Sequence, residues 1–328
     1  MRTRLLKISS VLLALFLVAL CARQVDLKGL RDLAGETNLP HLFLASAAIA
    51  LIPLLKTVQW QVLTRSVKNI AFARLFQVMA IRLMSVNLLP SWFGEALSLT
   101  WFGRREEIGP KGVLSILALD HLAEGFSVLV LFAVVALMSD GPPWMRGGMT
   151  GVVVVTLLFY VFCLFLARNH RDEEGPNSGG FREKVMGCLR GWGRHLQLLR
   201  NVRMSLLAIF LSLSVKGAAL VALFLIQQAW GLKLPFETPF LVLAALHLAT
   251  FFPVTPANLG LFESALLLVY RYLGLDTTEA FGLGIMTHLV FIMPYLLIGS
   301  ATLLVGTFRW EKSPLDPEKR PVLAEDNG

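Results

Sequence analysis

Six stretches of this chain are long and apolar enough to cross a bilayer, and that pattern restricts the fold more than any other feature. They cover about residues 5–22, 39–56, 112–138, 149–167, 204–230 and 278–308. Roughly 20 apolar residues in a helix span ~30 Å of hydrocarbon. Lipid offers no partner to an open N–H or C=O, so a spanning segment is a helix or part of a closed barrel. Continuous apolar runs of this length predict helices. The composition agrees: 55% of the 328 residues are hydrophobic and 16% are charged, more apolar than ordinary soluble domains. The predicted class is an all-α, polytopic integral membrane protein.

Two more apolar regions, 72–103 and 240–274, are interrupted by proline and glycine. In "NLLPSWFGEALSL" (87–99), Pro90, Gly94 and Glu95 fall within six positions. Proline opens the helical hydrogen-bond ladder, and a carboxylate at membrane depth costs roughly 2.5–3.5 kcal/mol on insertion scales. The second region, "FFPVTPANLGLFESALLL" (251–268), repeats the pattern with Pro256, Gly260 and Glu263. Each region reads as a re-entrant helical hairpin or a pair of short spans, and both alternatives return the chain to the side it came from.

Positive charge gives the orientation. With the amino terminus inside, inner segments hold 22 of the 30 Lys and Arg residues and outer segments hold 6, leaving Arg82 and Lys216 at membrane depth. Both termini are therefore expected in the cytoplasm. "MRTRLLKISSVLLALFLVALCA" also resembles a cleavable signal peptide, but an uncleaved first span is the preferred reading. The inner loop over 168–203 contains an expected interfacial helix. Phe181, Val185, Leu189, Trp192, Leu196 and Leu199 form one stripe, while Arg182, Lys184, Arg190 and Arg194 lie off it. The tail, 309–328, reads as disordered.

This topology exposes an internal pattern. Residues 1–138 run span, span, broken segment, span, and residues 139–308 repeat that order from the opposite face. Pro90 to Gly94 matches Pro256 to Gly260. Glu95 precedes His121 by 26 residues, and Glu263 precedes His288 by 25. An inverted repeat of this kind brings two broken helices together near the bilayer midplane around a binding site. Ser91 and Thr255 are candidate N-caps, with Pro256 at a first helical position. Two helix N-termini inside the membrane would offer N–H donors to a phosphate or carboxylate, with Gly94 and Gly260 permitting close approach and Asn258 beside them.

Charged residues at depth extend the candidate site. Arg82 could hold a phosphate or pair with Glu95. Asp120 and Glu124 share one helical face with His121 nearby, and Lys216 is either their ion-pair partner or a second anion contact. Asp120, His121, Glu124 and His288 form the expected coupling or gating group, while His247 reads as a hydrogen-bonded core residue. Three widely separated cysteines, no HExxH and no phosphate-gripping GxxxxGK[ST] argue against a disulfide framework, a metal site and ATP-driven work. No cofactor and no nucleic-acid partner are expected. No nucleophile–base or metal set for an intramembrane enzyme can be assembled.

"NLLPSWFGEAL", "LDHLAE" and "FFPVTPANLGLFESALL", in this order among about eight apolar segments, resemble the lysylphosphatidylglycerol synthase transmembrane (flippase-like) family. That family has Pro-Gly-Gly-Leu-Gly where this chain has Pro256-Ala257-Asn258-Leu259-Gly260, and usually arginine where His121 and His288 stand. The resemblance implies a bacterial or archaeal inner-membrane protein that moves or handles lipids, without the synthase's soluble aminoacyl-transfer domain. The expected function is translocation of an anionic lipid or lipid-linked headgroup. The alternatives are a secondary transporter of a small anion and a non-catalytic membrane partner protein. Expected partners are membrane lipids, with a second copy of the chain or a lipid-modifying enzyme as the protein partner.

Overall fold

The structure, a computed structural model, describes Gly35 and residues 37–65, 67–139, 141–168, 201–251 and 255–310. The expected first span at 5–22, the interfacial helix at 181–200 and the tail beyond 310 lie outside the described residues. Among the described residues there are nine α-helices and no strand. They are α1 (Leu39–Thr64), α2 (Phe72–Leu88), α3 (Ser91–Arg105), α4 (Pro110–Met138) and α5 (Pro143–Arg168). Further along the chain come α6 (Val202–Ala229), α7 (Thr238–Thr250), α8 (Leu261–Tyr272) and α9 (Thr277–Trp310). A 3-10 turn, Pro256–Asn258, lies between α7 and α8.

Local chemistry sets several boundaries. The side-chain oxygens of Asn38 and Asn201 accept from His41 N–H and Met204 N–H, capping α1 and α6. Pro40 and Pro110 occupy first-turn positions of α1 and α4, where a missing N–H breaks no helical bond. Helices α1, α4, α5, α6 and α9 are long and apolar enough to cross a membrane, which accounts for five of the six expected spans. Phe43, Leu158, Phe210, Leu297 and Leu304 face outward and are more than half exposed. Such a surface would be an aggregation hazard in water and fits a lipid environment.

The interior is stratified. One apolar cluster gathers Ile49 and Ile52 of α1, Phe132 of α4, Leu223 of α6 and Leu266 of α8. A second gathers Trp60 and Leu63 of α1, Met79 of α2, Phe102 of α3, and Ile116 and Leu119 of α4. Lys56 falls between Ile52 and Trp60, Asp120 and Glu124 fall between Leu119 and Phe132, and Lys216 lies between Ala208 and Leu223. A charged layer thus separates two apolar ones. Lys56 corrects the sequence reading, which ended the second span there and counted it as an inner-loop charge. Helix α1 continues to Thr64 with Lys56 buried, so the inner set is 21 and the depth set is Lys56, Arg82 and Lys216.

Both broken regions fold into helical hairpins, α2 with α3 and α7 with α8. A Cβ at Gly94 would stand 2.4 Å from the Ser85 carbonyl oxygen, so only glycine lets α3 cross α2 so closely. Arg82 hydrogen-bonds Asp120 and lies six residues, roughly 9 Å, before the end of α2. Asp120 is at least ten residues, roughly 15 Å, from either end of α4. The break at Leu89–Pro90 therefore falls alongside the interior of α4, whichever way the axes run. His288 bonds Glu263 and Ala257 and is at least eleven residues from either end of α9, which places the second break inside too. The 3-10 turn packs against α2 and α3, so the two breaks meet.

Candidate functional site

The charged layer is one continuous chain of ion pairs on five helices. Glu95 Oε1 (α3) accepts from Arg82 Nη2 (α2) at 2.5 Å, and Arg82 Nη1 donates to Asp120 (α4) at 3.0 Å. Lys56 Nζ (α1) donates to Asp120 at 2.9 Å and to Glu124 at 2.7 Å. Lys216 of α6 closes the chain on the other oxygen of Glu124. Three cations thus alternate with three carboxylates. Charges removed from water need this pairing, because losing one partner strands the other in low dielectric.

The three cations and Asp120 are deeply buried, while Glu95 and Glu124 are more open. Side-chain exposure is 3% at Asp120, 8% at Lys56 and Lys216 and 10% at Arg82, but 24% at Glu95 and 30% at Glu124. His121 is half-exposed, with Nε2 3.8 Å from Glu95. The Arg82 guanidinium lies 4.9 Å from the Trp60 ring centroid, a cation–π contact that fixes its plane. Its Nε is buried and has no hydrogen-bond partner among the described residues.

The second hairpin carries a separate dyad. His288 Nδ1 lies 2.6 Å from Glu263 Oε1, and His288 Nε2 lies 3.0 Å from the Ala257 carbonyl oxygen. The other Glu263 oxygen accepts from Gly260 N–H at 2.7 Å. Phe262 stacks on the His288 ring at 4.3 Å. Ala257 and Asn258 both have positive φ, +53° and +54°, a conformation that costs a side-chain-bearing residue roughly 1–2 kcal/mol.

The capping expectations are corrected. Helix α3 does begin after Pro90, but Ser91 donates backwards to the Val86 carbonyl and does not cap it. Thr255 makes no capping bond, its hydroxyl is buried with no partner among the described residues, and Pro256 opens only the 3-10 turn. The α-helix starts five residues later, with Gly260 at φ +81° as its N-cap. Glu263 already occupies the Gly260 N–H, so this terminus does not offer all its donors to an outside anion. His247 is not fully hydrogen-bonded among the described residues either, since its buried Nε2 has no partner there.

The structure joins Arg82, Glu95, Asp120, His121, Glu124 and Lys216 in one cluster and Glu263 with His288 in another. The turn carrying Pro256 and Asn258 packs on α2 and α3. Sequence reasoning missed Lys56 and Trp60. The available signal was the apolar pattern continuing past Lys56 through Val58, Trp60, Val62 and Leu63. Among the described residues no group of three His, Cys, Asp or Glu side chains is placed to hold a metal ion.

Apolar helices around a charged layer, with two broken hairpins meeting beside it, define a multi-pass α-helical membrane protein. Residues 7–299 match the family described as lysylphosphatidylglycerol synthase TM region, and the chain belongs to that family. A comparison with curated proteins found no match.

Proposed function

We propose that this protein moves an anionic lipid, or a lipid-linked anionic headgroup, between leaflets, and is not itself an enzyme. The observation that carries the reading is the charge-balanced layer linking Glu95 to Lys216 at the meeting point of two intramembrane breaks. Such a layer has no role in packing that apolar side chains would not fill at lower cost. A headgroup enters by exchanging with a carboxylate on a cation that stays fixed. Arg82 is the principal phosphate contact through bidentate donation, with Lys216 at the other end. Asp120 and Glu124 hold the cations in place, while Glu263 and His288 lock the second break against α9. The two hairpins are the matching elements of the two halves of an inverted repeat, 1–138 and 139–308.

The site of action is a bacterial or archaeal cytoplasmic membrane, with both termini inside, supported by 21 inner against 6 outer Lys and Arg residues. In a cysteine-free background, Leu234→Cys should label only from outside and Leu323→Cys only from the cytoplasm. Labelling of both from one face overturns the orientation. The activity test uses proteoliposomes with acyl-labelled phosphatidylglycerol and leaflet-selective quenching, beside uptake of inorganic phosphate. Protein-dependent lipid transfer without phosphate uptake is expected. Phosphate uptake without lipid transfer would make the protein a soluble-anion transporter, and neither activity would leave it a structural partner.

A further inference from the structure

The six ionised side chains of the charged layer balance, three against three, and they are not equally held. Asp120 is bonded by both Lys56 and Arg82, and Glu124 by both Lys56 and Lys216. Among the described residues the Glu95 carboxylate is hydrogen-bonded by Arg82 alone, with His121 Nε2 farther off at 3.8 Å, and it is eight times as exposed as Asp120. It is the carboxylate an incoming anion displaces most readily. Arg82 is prepared for the exchange. Nε and Nη2 form one edge of the guanidinium, the edge that grips a phosphate with two parallel bonds. Glu95 uses only Nη2, while Nε is buried and has no partner among the described residues. The remaining nitrogen is tied to Asp120 and the plane lies against Trp60, so the cation cannot follow the departing carboxylate.

A singly charged headgroup phosphate on that edge leaves the layer with four negative and three positive charges, unless one negative charge is removed. We propose that Glu95 takes up a proton as the headgroup displaces it, so that one proton accompanies each anionic headgroup. This rests on the lipid-translocation reading. The groups facing Glu95 fit the role. Arg82 reaches it from α2, and His121 comes within 3.8 Å from α4, where Asp120 acts only through Arg82. The turn from the second hairpin contributes Pro256, Ala257 and Asn258, none of them titratable. His121, half-exposed, connects Glu95 to the surroundings as a proton relay. In each cycle the Arg82–Glu95 pair breaks, phosphate oxygens take Nη2 and Nε, and one proton from the aqueous phase binds the freed Glu95 carboxylate. Release of the headgroup reverses each change, and no net charge crosses.

The experiment uses full-length protein in proteoliposomes carrying a trace of acyl-labelled phosphatidylglycerol, with a pH gradient of one unit and the membrane potential clamped at zero. Electroneutral one-to-one coupling predicts about a tenfold excess of label in the leaflet facing the alkaline side. Changing the clamped potential should not alter that ratio, and protein-free vesicles should show none. With Glu95→Gln, the ratio should fall to about one at every gradient. His121→Gln should slow the approach to equilibrium while leaving the final ratio tenfold, a readout that does not depend on the Glu95 variant folding. Transfer by the parent protein with a ratio near one overturns the coupling and leaves the lipid reading standing, as does a tenfold ratio retained by Glu95→Gln. No transfer by the parent overturns the lipid reading and this inference together.

Discussion

Replacing Lys56 by methionine isolates the energetic role of the charged layer. Methionine keeps the length and most of the volume of lysine but removes the charge and both hydrogen bonds. Lys56 is 7% exposed and bridges Asp120 at 2.9 Å and Glu124 at 2.7 Å. Each carboxylate keeps one other cation, Arg82 or Lys216, so neither is orphaned, yet the layer carries one uncompensated negative charge between two apolar clusters. Breaking a buried ion pair by removing one partner costs about 3–5 kcal/mol, and Lys56→Met should fall in that range. The double variant Lys56→Met/Asp120→Asn restores balance, with Arg82 on Glu95 and Lys216 on Glu124, and should recover at least about 1.5 kcal/mol. Equilibrium unfolding in detergent micelles measures both. A loss under about 1 kcal/mol for Lys56→Met, or a double variant no more stable than the single one, would refute the balance argument.

Three further substitutions probe the hairpins. Gly94→Ala puts a methyl group 2.4 Å from the Ser85 carbonyl oxygen, and should cost about 1–3 kcal/mol by overpacking, seen as a lower unfolding midpoint. Ala257→Gly should raise stability by about 1 kcal/mol, because glycine adopts the +53° φ of that position without steric cost; an unchanged or lower midpoint would contradict this. Glu263→Gln weakens a charge-assisted cap on Gly260 and the bond to His288, and should cost about 1–3 kcal/mol in the same assay.

The membrane class, the five described spans and both breaks were legible in the sequence because they follow from apolar length and from proline, which act locally. The pairing of Arg82 with Glu95 and of Lys216 with the Asp120–Glu124 face was also within reach, since few charges at depth leave few partners. Lys56 was not read, because a lysine at the end of an apolar run looks like a loop charge until the run beyond it is counted. The two glutamates looked equivalent by spacing. Tertiary structure separates them: Glu95 faces Arg82 across a hairpin, whereas Glu263 bends back onto its own helix start. Spacing does not fix the register at which a helix starts: Ser91 falls one position inside α3, whose N-cap is Pro90, and α8 begins only after Gly260, beyond Thr255.

The most direct test of the account is lipid transfer by the charge-balanced double variant Arg82→Gln/Glu95→Gln. Removing one cation with its own carboxylate leaves Asp120 on Lys56 and Glu124 on Lys56 and Lys216. The protein should therefore stay folded, with a midpoint near that of the parent. Leaflet-resolved transfer of acyl-labelled phosphatidylglycerol should fall ~10- to ~150-fold, the loss of one charge-assisted phosphate contact of about 1.5–3 kcal/mol. Transfer at the parental rate by the folded double variant would contradict the claim that the headgroup passes through Arg82.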